Sequence, residues 1–98
     1  MDSLESLLYA LLNNNYDTAE KVGRDVVNDY TIDTCDTADC GWETAVWYKD
    51  NPMIIVARYP NKELATQGHA NWVETCRTNS PSHAYSVQTE RFEPFFTE

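Results

Sequence analysis

The sequence predicts a single α+β domain, with helices lying over one face of a mainly antiparallel sheet. Three observations predict it. A leucine stripe at helical spacing opens the chain, two aromatic and β-branched runs flank Asp50-Asn51-Pro52, and a further helical stripe follows Pro60. At 98 residues the chain fits one domain, near the lower end of what folds unaided. Its 42% hydrophobic and 12% aromatic content, with few Gly and Pro, argues against disorder despite a net charge of -9.

The first element is an amphipathic helix. Asp2 and Glu5 have capping-box spacing, and Leu4, Leu7, Leu8, Leu11 and Leu12 form one apolar stripe. Asn13, Asn14 and Asn15 end it, because short amides compete for backbone hydrogen bonds. A second helix is predicted from Asp17, with Glu20 as reciprocal cap, through Ala19, Val22 and Val26 to about Tyr30. Gly23 weakens it by about 1 kcal/mol relative to Ala. Together the two make an N-terminal helical hairpin.

Residues 30–34 have strand composition but form a short run that leads into the polar stretch Asp36 to Gly41. Residues 42–49 and 53–59 are the clearest strands, and the Asp-Asn-Pro between them is turn chemistry, so they form an antiparallel β-hairpin. Pro60 stops the second strand, and Asn61 caps a helix over 61–77 with Leu64, Gly68, Trp72 and Cys76 as its buried stripe, Ala65 and Val73 alongside. A last strand is predicted over 84–92 by the alternation of Tyr85, Val87 and Thr89. The following Phe95 and Phe96, with Phe92, are too apolar to float free and pack on the domain or on a partner.

Charge is the strongest functional signal. Between Arg24 and Lys49 stand Asp25, Asp29, Asp33, Asp36, Asp39 and Glu43, with no basic residue among them. Such a run is either a solvated surface or a contact for a positively charged partner. Repeated every three or four residues, these carboxylates are candidates to imitate a phosphate backbone in the basic groove of a nucleic-acid-binding protein. Trp47 and Tyr48, with Phe95 or Phe96, are the candidate aromatic anchors. The pI of 4.4 excludes direct nucleic-acid binding and disfavours anionic membranes, since both need Lys and Arg. No run approaches the roughly 20 apolar residues of a membrane span. The three cysteines are an odd number, which fits a reducing compartment. The expectation is a soluble, cytoplasmic protein.

Chemical motifs are few. Cys35 and Cys40 have C-x4-C spacing, and His69 and Cys76 are the remaining ligands that zinc would require. The last two are seven residues apart on one helix, roughly 10 Å along its axis, too far for one ion. Asp33, Asp36 and Asp39 lack the spacing of a calcium loop, whose early glycine is also missing. His69 has no nucleophile or orienting carboxylate at a fixed spacing, and hydrolase, phosphate-loop and dinucleotide signatures are absent. No enzyme, metal or cofactor is expected.

Glu43, Thr44, Val46 and Trp47 form a Glu-Thr-x-Val-aromatic strand, Arg58-Tyr59 ends the next strand, and Gly68-His69 lies in the following helix. On these residues the region Trp42 to Cys76 resembles a class of small phage-encoded proteins. It departs from them in placing Ala45 before the valine, and the N-terminal segment falls outside the likeness. The resemblance implies a viral or prophage origin. Small acidic proteins of that class look like inhibitors of host enzymes or of anti-phage defences, anti-CRISPR proteins included. The expected partner is thus a host or defence-system protein with a basic surface, and the apolar tail is a candidate homodimer interface. Two alternatives fit the composition. One is an oligomeric module sequestering a small nucleotide through Arg58, Lys62, Arg77 and Arg91, although cations are scarce. The other is a structural or accessory phage protein without an active site.

Overall fold

A computed structural model of the chain describes residues 21–37 and 41–96. Strands β1 (Lys21–Val27), β2 (Tyr30–Thr37), β3 (Gly41–Tyr48) and β4 (Ile54–Tyr59) form an antiparallel sheet in chain order. Helix α1 (Lys62–Asn79) lies on one face and touches all four strands. Strands β5 (His83–Ser86) and β6 (Arg91–Pro94) make a separate ribbon. It is tied to β4 by the Val87 amide donating to the Ile55 carbonyl at 2.9 Å. The mixed α+β class and the hairpin centred on residue 50 are as the sequence predicts.

The second predicted helix is corrected where it can be seen: Lys21–Val27 is a strand. The helical stripe of Val22 and Val26 competes with β-branched stiffness and an unfavourable Gly23. The deciding signal is Asn28-Asp29. Both residues have positive φ, 50° and 69°, in a two-residue connection between the paired Val27 and Tyr30. That geometry closes a hairpin whose twist matches its strands, and Asn and Asp tolerate it better than most residues. Asn28 serves a second purpose. Its side-chain amide donates to the Cys76 and Arg77 carbonyls at 3.3 and 3.0 Å, satisfying acceptors at the end of α1. The first predicted helix, Asn13–Asn15 and the start of the second lie outside the described residues.

The predicted helix 61–77 is observed, extended to Asn79, and Asn61 caps it by accepting from the Leu64 amide at 2.9 Å. Its buried face is rotated from the predicted stripe: Ala65, His69 and Cys76 are buried, whereas Leu64 is exposed. The rotation places Gly68 against the Tyr59 ring and turns His69 toward the sheet. The predicted strand 84–92 is corrected to the β5–β6 ribbon. No Gly or Pro marks its turn. Instead the Ser86 hydroxyl accepts from the Thr89 amide, the Glu90 amide donates to the Ser86 carbonyl, and Glu90 takes a φ of 59°.

The core lies between α1, the ribbon and the helix-facing side of the sheet. Tyr30, Ile32, Val46, Ile54, Val56, Cys76, Ala84 and Phe95 form it. Phe95 is wholly buried with its ring edge-on to Tyr30, and Phe96 leans on Tyr48, so these two rings of the predicted apolar tail do pack on the domain. Burial raises the Tyr30 phenol pKa, and its hydroxyl donates to the Pro81 carbonyl.

A Cβ added at Gly68 would overlap the Tyr59 ring, whose hydroxyl is held by Thr44. Gly68→Ala should therefore lower stability. Overpacking of about 1–3 kcal/mol outweighs the ~1 kcal/mol gained in helix propensity. Chemical denaturation decides the sign, because propensity alone predicts the opposite.

Candidate interaction surface

The six carboxylates of the acidic run do not share one face. Asp25 lies on the helix side of edge strand β1, Asp29 in the β1–β2 turn, and Asp33 and Glu43 on the opposite side of the sheet. Asp36 sits near the far end of β2, and Asp39 lies outside the described residues. Period-two geometry explains this dispersal, since successive strand residues alternate faces.

Several of these acids are also neutralised. Asp33 is 1% exposed and is gripped by Lys21 at 3.2 Å and Arg24 at 2.8 Å. Both cations come from β1, the neighbouring strand, so the absence of basic residues inside the run did not mean absence of cations in space. Arg24 also lies over the Trp47 ring, 5.6 Å from its centroid. Arg58 pairs with Glu43 at 3.4 Å across β3 and β4. Asp33 is therefore withdrawn from any partner, and Glu43 is half-buried.

Asp25 meets a different group. Its carboxylate accepts from His69 Nε2 at 2.6 Å, and His69 Nδ1 lies 2.7 Å from the Thr34 hydroxyl. Thr34 Oγ1 is 2.6 Å from Thr44 Oγ1, which is 3.0 Å from the Tyr59 hydroxyl. With His69 neutral and its proton on Nε2, every donor points the same way, from Tyr59 through the two threonines to the imidazole and Asp25. The order carboxylate, imidazole, hydroxyl is that of an activated nucleophile. Thr34, however, is completely buried and its oxygen is already bonded to Thr44, so no substrate atom can approach it. The chain of bonds can hold strands together but cannot attack. His69 uses both ring nitrogens in it, Cys76 is buried in the core, and Cys40 lies outside the described residues. Among the described residues, no cluster of three metal-binding side chains occurs and every buried side-chain polar atom has a partner.

The outward-facing features include one member of the run, Asp29, and residues outside it. Asp29 and Asp50 occupy adjacent turns, joined by the Lys49 amide donating to the Asp29 carbonyl at 2.9 Å. Trp47 is half-buried beside Arg24, and Tyr48 is half-buried between Tyr30 and Phe96, so neither predicted anchor is fully offered. Among the described residues Tyr85 and Phe92 are the exposed rings, 46% and 72%, paired edge-on at 5.6 Å across the β5–β6 ribbon. They were missed because a single strand over 84–92 places them on one chain segment with no partner. Only the turn at Val87–Glu90 brings them opposite each other. A groove of about 540 Å³, lined by Pro52, Met53, Ser86, Gln88, Arg91 and Phe96 among others, opens on the ribbon face that Tyr85 and Phe92 do not occupy.

Two measurements check the electrostatics. Asp33→Asn should cost about 1–3 kcal/mol of stability, because Lys21 and Arg24 lose a buried partner yet stay partly hydrated. The sequence-adjacent Asp36→Asn should stay within about 0.5 kcal/mol. Equal effects in urea melts would refute the placement. For Glu43, burial raises its pKa above the ordinary 4.5, opposed by the hydrogen bond and charge of Arg58. The folded protein thus holds that proton more tightly than the unfolded chain, and ionising Glu43 subtracts stability. The loss is absent below the ordinary carboxyl range and complete above the raised folded value. Glu43→Gln should be more stable than the parent at neutral pH and no different in acid.

Among the described residues no helix is long and apolar enough to cross a membrane. No family model, curated protein or solved structure matches the chain.

Proposed function

We propose that this chain is a small acidic interaction protein that inhibits a host factor or an anti-phage defence system, such as a CRISPR effector, by occupying a basic nucleic-acid-binding surface. The observation that carries the reading is the charge left outside after internal pairing. The described residues hold ten carboxylates and all seven cations. Asp33, Glu43, Glu74 and Glu93 take most of those cations into ion pairs. Asp29, Asp36 and Asp50 have no ion pair among the described residues, and Asp2, Glu5, Asp17, Glu20, Asp39 and Glu98 bring the chain to sixteen acids against seven cations. A surface of this sign repels nucleic acid and membranes and steers toward Lys- and Arg-rich protein surfaces.

The aromatic part of the contact is assigned to Tyr85 and Phe92 in place of Trp47 and Tyr48. A ring pair left out of the core in so small a domain has the composition and geometry of a binding anchor. Charge then governs encounter, while the rings govern residence.

The test is affinity capture from a bacterial host, followed by titration of the captured protein at two salt concentrations. Affinity should fall with salt, and the triple change Asp29→Asn, Asp36→Asn, Asp50→Asn should both weaken binding and flatten that dependence. Phe92→Ala should weaken binding by about tenfold or more with the salt slope intact. Expression of the chain should restore plaque formation by phage on a strain carrying the sensitive defence. A captured partner whose binding ignores salt and all four substitutions would eliminate the proposal.

A further inference from the structure

The β5–β6 ribbon turns two chemically distinct faces in opposite directions. Ala84 and Ser86 look inward and are 4% and 3% exposed, with Glu93 and Arg91 as their cross-strand partners. His83, Tyr85, Phe92 and Pro94 make up the outward face, and all four are exposed. Tyr85 and Phe92 stand directly opposite each other on it, with their ring planes 74° apart. Two rings so inclined form a corner, in which one presents its edge to the other and keeps its own π faces open to solvent.

Size and charge decide what such a corner holds. Two strands of four residues give a face of about 14 by 10 Å. That is a small fraction of the roughly 800 Å² per partner buried in a stable interface. The face is too small to hold a protein by apolar burial alone, yet large enough to seat one side chain. Its surroundings are acidic. Glu90, two residues before Phe92, is exposed and has no ion pair among the described residues. Arg91, the cation adjacent to Phe92 in sequence, belongs to the inward face and is held there by Glu93 at 2.9 Å. The cation–ring contacts of the described residues lie elsewhere, with Arg24 over Trp47 and Lys49 over Tyr48. In a chain of net charge -9, the negative π surface of this corner is therefore not covered by a described cation.

We infer that Tyr85 and Phe92 form an aromatic receptor for one cationic side chain, an arginine or lysine presented by a protein partner, held over the ring faces by cation–π attraction with Glu90 as the neighbouring countercharge. The inference rests on the reading of this ring pair as the anchor for a basic partner, and it names what the anchor grips. An aliphatic side chain gains only the small area of the corner. A cation gains in addition the quadrupole of the rings and the attraction of the surplus carboxylates. The same charges turn an anion away.

The probe is choline, compared with its uncharged carbon isostere dimethylbutanol, with ionic strength held constant by sodium chloride. In NMR titrations of the full chain, the ring protons of Tyr85 and Phe92 should shift with choline and stay in place with the alcohol. Phe92→Leu keeps an apolar side chain and removes the π face, and at 72% exposure the change leaves the core untouched. It should weaken the choline response at Tyr85 by about threefold or more, and Phe92→Trp should restore it. The inference is overturned if the alcohol moves the rings as strongly as choline, if neither probe moves them, or if Phe92→Leu leaves the Tyr85 response intact. None of these readouts needs a host protein, so a failed capture removes the inhibitor reading and leaves the receptor standing. Conversely, a captured partner whose binding survives Phe92→Leu but not Phe92→Ala keeps the inhibitor reading and overturns the receptor, since an aliphatic side chain would then fill the corner.

Discussion

One run of side-chain hydrogen bonds takes a member from every strand of the sheet and from the helix above it. Asp25 comes from β1, His69 from α1, Thr34 from β2, Thr44 from β3 and Tyr59 from β4. Apolar packing alone leaves register weakly determined, because one isoleucine fits nearly as well as another two residues along. Oxygens and imidazole nitrogens do not have that freedom: a slip of any strand strands a buried hydroxyl at a cost of 1–3 kcal/mol or so. The run therefore fixes register across the whole sheet and the rotation of α1 at once. Gly68 is the residue that lets the Tyr59 ring fit beneath the helix.

That same polar run explains where the sequence could and could not be read. The β3–β4 hairpin and α1 announce themselves through local chemistry, Asp50-Asn51-Pro52 for the turn and Asn61 for the cap. The β1–β2 hairpin was concealed because Val22 and Val26 satisfy a helical period as well as a strand, and only the pair of positive φ angles at Asn28 and Asp29 breaks the tie. The buried face of α1 was misjudged because the predicted stripe ran through Leu64, Gly68 and Trp72 and left out His69. His69 is 6% exposed because its partners, 35 and 44 residues away in sequence, satisfy both nitrogens. No spacing rule reveals partners that far apart.

The acidic run teaches the same lesson in charge. Read along the chain, Asp25 to Glu43 looks uncompensated. Read across the sheet, Lys21 and Arg24 stand beside Asp33, and Arg58 stands beside Glu43. An antiparallel neighbour places residues ten or fifteen positions apart within bonding distance, so local charge density is a poor guide to local potential. What was legible was the surplus itself. Its location changed, toward the turns at Asp29 and Asp50 and the far end of β2.

Strand β1 forms one border of the sheet, with no neighbour on its outer side among the described residues. A straight border of that kind is a template on which other chains can stack. Here the pairing is dislocated between Lys21 and Gly23, and two cations and Asp25 stand along the strand. Irregularity and charge are the usual obstacles to such recruitment. The border is thereby kept from growing, edge upon edge, into fibres.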